Sequence, residues 1–78
     1  GQVSIQYHTK VSSRGTINIF DMSGRLIFSS GELSFKRGHN FYDWNGKSQH
    51  DYTLSTGVYI VSIDTDDKLE SHKILYLK

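Results

Sequence analysis

Four histidines, His8, His39, His50 and His72, are the side chains in this sequence best able to bind a metal or move a proton. No two of them fall at a close ligand spacing such as i, i+2 or i, i+4. A metal site would therefore have to be assembled across strands, which a sequence does not display. We expect surface histidines and no metal centre. Asp64, Asp66 and Asp67 offer oxygen ligands close together, as calcium loops do. No glycine and no bidentate glutamate follow at the spacing such loops need, so a solvated turn is the preferred reading. Ser, His and Asp all occur, but no serine sits in a Gly-x-Ser-x-Gly elbow. There is no cysteine, hence no disulfide framework, thiolate zinc site or cysteine nucleophile. No glycine-rich loop precedes a helix, so phosphate has no cradle. We expect no catalytic residue, no metal and no cofactor.

The remaining candidates for chemistry are aromatic. Phe41, Tyr42, Trp44 and Tyr52 cluster in sequence, and exposed Trp and Tyr rings on a sheet can stack on sugars. The plainer alternative is that Tyr42 and Trp44, two apart on one strand, fill the core. That spacing favours the core.

Whatever these residues do, strands must position them. Gln2 to Tyr7 alternates polar and apolar, which predicts a half-buried strand with Val3, Ile5 and Tyr7 inward. Ser12 to Gly15 reads as a turn and Thr16 to Phe20 as the next strand. Asp21-Met22-Ser23-Gly24 reads as a tight turn, with Gly24 left-handed in a bulged hairpin and Asp21 accepting bonds from the turn amides. Arg25 to Ser29 returns with Leu26 and Phe28 inward. Leu33 to Phe35 is a short strand, Lys36 to Gly38 a turn, and His39 to Trp44 a strand. Asn45 to Thr56 is irregular, with Asp43 and Asn45 around Trp44 tying it down. Gly57 opens the strongest strand, Val58 to Ile63, apolar on both faces except Ser62, as suits a central strand. Tyr59, Val61 and Ile63 should face a second sheet, and Gly57 should serve a close approach or a bend. Asp64 to Lys68 is a tight connection, and Leu69 to Leu77 pairs back. Seven or so short strands at regular spacing predict an all-β, immunoglobulin-like antiparallel β-sandwich.

Composition bounds the rest. A chain of 78 residues and 8.9 kDa is one small domain. It buries about 60% of its unfolded surface, too little to hollow out a deep cleft. Net charge is +1, with Lys and Arg scattered, so no nucleic-acid stripe is expected. The longest apolar run, Val58 to Val61, falls far short of a membrane span. The sequence opens at Gly1 directly into a strand-like alternation. We therefore expect residues 1–78 to be a single domain cut from a longer polypeptide, which the resemblance described next would make the C-terminal domain of a larger secreted protein.

One constellation goes beyond pattern: Phe20-Asp21-Met22-Ser23-Gly24-Arg25-Leu26, then Phe41 to Lys47 with Trp44 and Gly46, then Leu54 to Ile63 with Gly57-Val58-Tyr59, then His72 to Lys78. In order and spacing it resembles the C-terminal sorting domain of type IX secretion system cargo proteins, from about Val3 to Lys78. Trp44-Asn45-Gly46-Lys47, with Gly57 thirteen residues after Trp44, is also similar to the related immunoglobulin-like domain of the flagellar hook-capping protein. The Pro-containing linker and Asn-Pro-rich start common in the sorting family are absent.

The resemblance implies a non-catalytic address that directs an exported cargo across the outer membrane. Its partners would be the outer-membrane translocation machinery, a sortase-like peptidase that removes the domain and links the cargo to lipopolysaccharide, and the parent catalytic or adhesive domain. It implies passage through the periplasm of a Gram-negative bacterium to the surface or beyond. The expected partner-recognition residues are Gly57, Val58, Tyr59, Lys73 and Lys78, on a final hairpin read through its backbone edge. Asp21, Gly24, Arg25, Trp44 and Gly46 are the expected structural motif. The competing reading is an accessory module of a secreted hydrolase, packing on the catalytic domain or holding glycan through Tyr42, Trp44 and Tyr52. A third is an assembly module like the hook cap.

Overall fold

A computed structural model describes residues 2–78, so the expectation of a cut ahead of Gly1 lies outside the described residues. Seven strands follow in order: β1 (Val3–Thr9), β2 (Ser13–Phe20), β3 (Leu26–Ser29), β4 (Leu33–Phe35), β5 (Gly38–Trp44), β6 (Gly57–Thr65) and β7 (Leu69–Tyr76). All pairs are antiparallel. β1 and β5 form a two-stranded sheet. The second sheet runs β3-β2-β6-β7, with β4 also on β2, so β3 and β4 share one edge of β2 in succession. The expected all-β, immunoglobulin-like sandwich is the observed architecture.

The alternation that defines the strands also builds the core. Ile5 and Tyr7 from β1, Ile17 and Ile19 from β2, Phe35, Trp44, Tyr59, Val61, Ile63 and Tyr76 are buried between the sheets. β6 is central, flanked by β2 and β7, and its inward side chains sit in the middle of that core. This explains the apolar character of its inner face, Tyr59, Val61 and Ile63, while Val58 and Ile60 stand on the outer one. The Tyr7 and Phe35 rings meet edge to face at 5.7 Å, closing the other end of the core.

Three local expectations are corrected. Ser13, Arg14 and Gly15 belong to β2 rather than to a turn. Gly15 lies opposite Thr65 in the β2–β6 ladder, and a Cβ there would collide with the Asp64 backbone carbonyl. Its glycine therefore marks a close approach of two strands, not a reversal. Leu26 is 53% exposed rather than inward. The β2–β3 register shifts between Ile19 and Phe20, so Phe28 faces Ile19 while Leu26 faces Phe20. The bulge breaks the period of two and carries Leu26 to the outer face. Finally, a Cβ on Gly57 would meet nothing within 4 Å, and its backbone is not left-handed. Of the two roles expected for Gly57, the close approach is thereby excluded within this chain.

Candidate functional site

The hairpin after β2 is built as expected. Asp21 N–H donates to the Arg25 carbonyl and Gly24 N–H to the Asp21 carbonyl, both at 3.0 Å. Gly24 has φ +90°, which a Cβ would resist. The Asp21 carboxylate gathers the turn: Oδ1 accepts from Ser23 Oγ (2.6 Å), Ser23 N (2.9 Å) and Arg25 N (3.0 Å). Arg25 Nε lies 3.3 Å from Oδ2. The Ser23 hydroxyl first, then the Arg25 amide, hold the Asp21 carboxyl below its ordinary 3.8. A carboxylate depressed in the folded state stabilises above its unfolded pKa and loses that contribution as pH falls through the folded one. Asp21→Asn should therefore lower the urea midpoint at neutral pH. The gap to the parent chain should close as pH drops below 3.8. Urea titrations at both pH values decide it, and a gap independent of pH would remove the charge from the account.

Trp44, Gly46, Tyr59 and Tyr76 meet at one end of the core. Trp44 is 1% exposed, and its Nε1–H donates to the Lys47 carbonyl at 3.0 Å. Its ring centroid lies 5.5 Å from that of Tyr76 and 6.2 Å from that of Tyr59. Tyr59 Oη–H donates to the Ser55 carbonyl at 2.8 Å, pinning the end of the irregular segment. Gly46 has φ +76°, and the Tyr76 ring packs directly on its α-carbon. Asn45 Oδ1 accepts from Lys47 N at 3.0 Å, a bond within the loop itself rather than the expected tie to its neighbours.

This arrangement divides the aromatic cluster. Trp44 is core, and Tyr42 is half-buried against Phe28, where burial pushes its phenol above the usual 10.0. Tyr52 stands apart on the loop, 72% exposed. A sugar platform of Tyr42, Trp44 and Tyr52 does not form, because the largest ring is inside the sandwich.

The expected recognition residues also divide. Tyr59 is 8% exposed and faces the core, so it supports the hairpin from beneath and is not displayed. Val58 points outward opposite Leu75, and Lys73 lies opposite Ile60; Gly57 is opposite Tyr76. Lys73 and Lys78 are exposed, and Lys78 N–H donates to Thr56 Oγ1 at 3.0 Å, holding the chain end beside the start of β6. Register extends the outer face across the sheet, since Ile60 lies opposite Phe20 and Phe20 opposite Leu26. Leu26, Phe20, Ile60 and Lys73 thus make one cross-strand row, with Val58 and Leu75 in the next. Leu26, Val58 and Leu75 are 53%, 43% and 62% exposed. Leu75, Phe20 and Ile60 escaped the sequence reading, because only strand register shows that they adjoin Val58 and Lys73.

At the opposite end of the hairpin, Thr65 makes the turn. Its Oγ1 accepts from Lys68 N at 3.1 Å and donates to the Lys68 carbonyl at 3.0 Å. Asp64, Asp66 and Asp67 are exposed around it. Among the described residues, no group of three or more His, Asp or Glu side chains is placed to hold a metal ion, and no helix is long and apolar enough to cross a membrane.

No match is found among curated proteins or among solved structures. A family model described as the secretion system C-terminal sorting domain matches residues 1–77. With that match covering nearly the whole chain and the sandwich in place, the chain belongs to the type IX secretion C-terminal sorting domains, which mark proteins of Gram-negative bacteria for export across the outer membrane to the cell surface or beyond.

Proposed function

We propose that this domain is a non-catalytic address, read by the outer-membrane translocation machinery through the outer face and open edge of the β6–β7 hairpin. One observation carries the reading. The motif residues that the core does not explain, Gly57, Val58 and Lys73, lie together with Leu75 at one end of the large sheet. β7 is the last strand of that sheet, so its outer backbone groups suit strand addition. Val58, Leu75 and Ile60 supply apolar contact beside it, and Lys73 and Lys78 supply charge. Tyr59 contributes by fixing the hairpin from below. Gly57 gives a partner backbone room to approach, which accounts for a glycine that the chain's own fold does not require. After translocation, a sortase-like peptidase removes the domain and attaches the cargo to surface lipopolysaccharide.

Deleting β7 would not test this cleanly, since it also removes buried Tyr76. Substitutions on the outer face separate recognition from folding. In the full-length parent protein, Leu75→Glu with Lys73→Glu should leave the thermal midpoint of the isolated domain near that of the parent. Surface display should fall several-fold and cargo should accumulate in the periplasm. Gly57→Val should act in the same direction. Fractionation and surface labelling give the readout. Undiminished display from the doubly substituted protein would refute recognition through this face.

A further inference from the structure

We infer that His8 and His39 form a surface site for a borderline divalent transition cation such as Zn²⁺. The two residues are direct partners in the β1–β5 ladder, although 31 residues separate them in sequence (39 − 8). Both are exposed on the outer face of the two-stranded sheet. Their ring centroids lie 5.2 Å apart with the planes at 81°.

That separation is informative. A zinc–nitrogen bond of about 2.0–2.1 Å, plus about 1.2 Å from nitrogen to ring centre, places an ion about 3.2 Å from each centroid; two ligands at the tetrahedral angle then have centroids about 5.2 Å apart. Ligands at a right angle would bring the centroids to about 4.5 Å. The observed separation is of the size the tetrahedral case requires, and direct cross-strand pairing keeps both rings within reach of one ion; turning a nitrogen of each toward it takes rotation about the side-chain torsions.

Two further observations favour the site. Phe41 stacks on His39 at 6.4 Å and 24°, limiting how that ring tilts. Among the described residues, no hydrogen bond or ion pair engages the imidazole nitrogens of His8 or His39. His72, by contrast, has its Nε2 3.6 Å from a Glu70 carboxylate oxygen. With two protein ligands the ion keeps two positions for water, which sets a modest affinity. Lys10 and Arg37, flanking the pair in the chain, weaken it slightly, and salt screens that effect. The ion would act as a clip between β1 and β5, which pair only with each other in their sheet. Binding to the folded state alone would raise the domain's stability by mass action.

The test is a titration of the 78-residue chain with Zn²⁺ in a non-coordinating buffer, followed by calorimetry and by imidazole NMR signals. We expect one ion per chain at micromolar concentration, with shifts at His8 and His39. His8→Gln or His39→Gln should each weaken binding about 100-fold, because the second bond of a two-point attachment forms at high effective concentration. His50→Gln and His72→Gln should leave it unchanged. No saturable binding, or shifts confined to His50 or His72, would overturn the site. Since the NMR assignment is made on the unsubstituted chain, it decides the question even if a variant folds poorly.

Discussion

Trp44→Ala is expected to destabilise the domain by about 3–5 kcal/mol, the usual cost of emptying a large aromatic site. A chain of 78 residues has a total stability of about 4–12 kcal/mol at ordinary values per residue. The substitution should therefore leave a substantial unfolded population at 25 °C or a much lowered urea midpoint. The reason is local. The indole is 1% exposed, contacts the Tyr59 and Tyr76 rings, and bonds the Lys47 carbonyl, so its loss opens a cavity and leaves a loop carbonyl without its donor. Phe41→Ala, three residues earlier on the same strand, is the control. Its ring is 67% exposed, and the change should stay within about 0.5 kcal/mol. Far-UV circular dichroism in urea is the measurement, because Trp44 is the chain's one tryptophan and its fluorescence is lost. A loss below about 1 kcal/mol would mean that the sandwich is not anchored at this end by the indole.

The contrast between Trp44 and Phe41 also shows what local sequence carries. In a half-buried strand, burial follows the period of two, so Ile5 and Tyr7, Trp44 against Phe41, and Tyr59, Val61 and Ile63 were all legible as inward residues. The Asp21–Gly24 turn was legible because its chemistry is contained within a few residues. Features that depend on how distant strands meet were not. Leu26 was misplaced because a bulge in the facing strand pair reverses its face. Gly15 was read as turn because glycine has two uses, and only the partner strand shows that it admits the Asp64 carbonyl. Sequence spacing keeps His8 and His39 apart, and only strand register makes them neighbours.

The same division bears on the sorting role. A motif records several demands at once, and the structure separates them by face. Asp21, Gly24, Trp44, Gly46 and Tyr59 each have a structural task within the fold. Arg25 lends its amide to the hairpin while its side chain stays 77% exposed. What the fold leaves unexplained is the outward Val58 and Lys73 beside Leu75, together with Gly57, which lies on the Tyr76 face at the mouth of the sandwich. Substitutions in the first set would impair export by unfolding the domain. Only those in the outward group should impair it with the domain intact.

Glycine substitutions make the most discriminating use of that separation. Gly24→Ala places a Cβ at φ +90° in open space, so its cost should be the left-handed backbone strain alone, about 1 kcal/mol. Gly46→Ala adds a collision with the buried Tyr76 ring to a similar strain at φ +76°. Tyr76 is fully buried against Trp44 and Tyr59 and has no room to retreat, so the total should reach about 3 kcal/mol or more. Gly57→Ala meets neither obstacle and should be close to neutral for stability. The expected order of urea midpoints is therefore Gly57→Ala above Gly24→Ala above Gly46→Ala. Because a methyl at either of the first two sites meets no Tyr76 atom within 4 Å, the excess loss in Gly46→Ala reports the packing term directly. Adding Tyr76→Leu to Gly46→Ala should recover part of that excess, since the ring that obstructs the methyl is gone. Equal losses for Gly24→Ala and Gly46→Ala would show that the Tyr76 ring yields, and that this end of the core is looser than its contacts indicate.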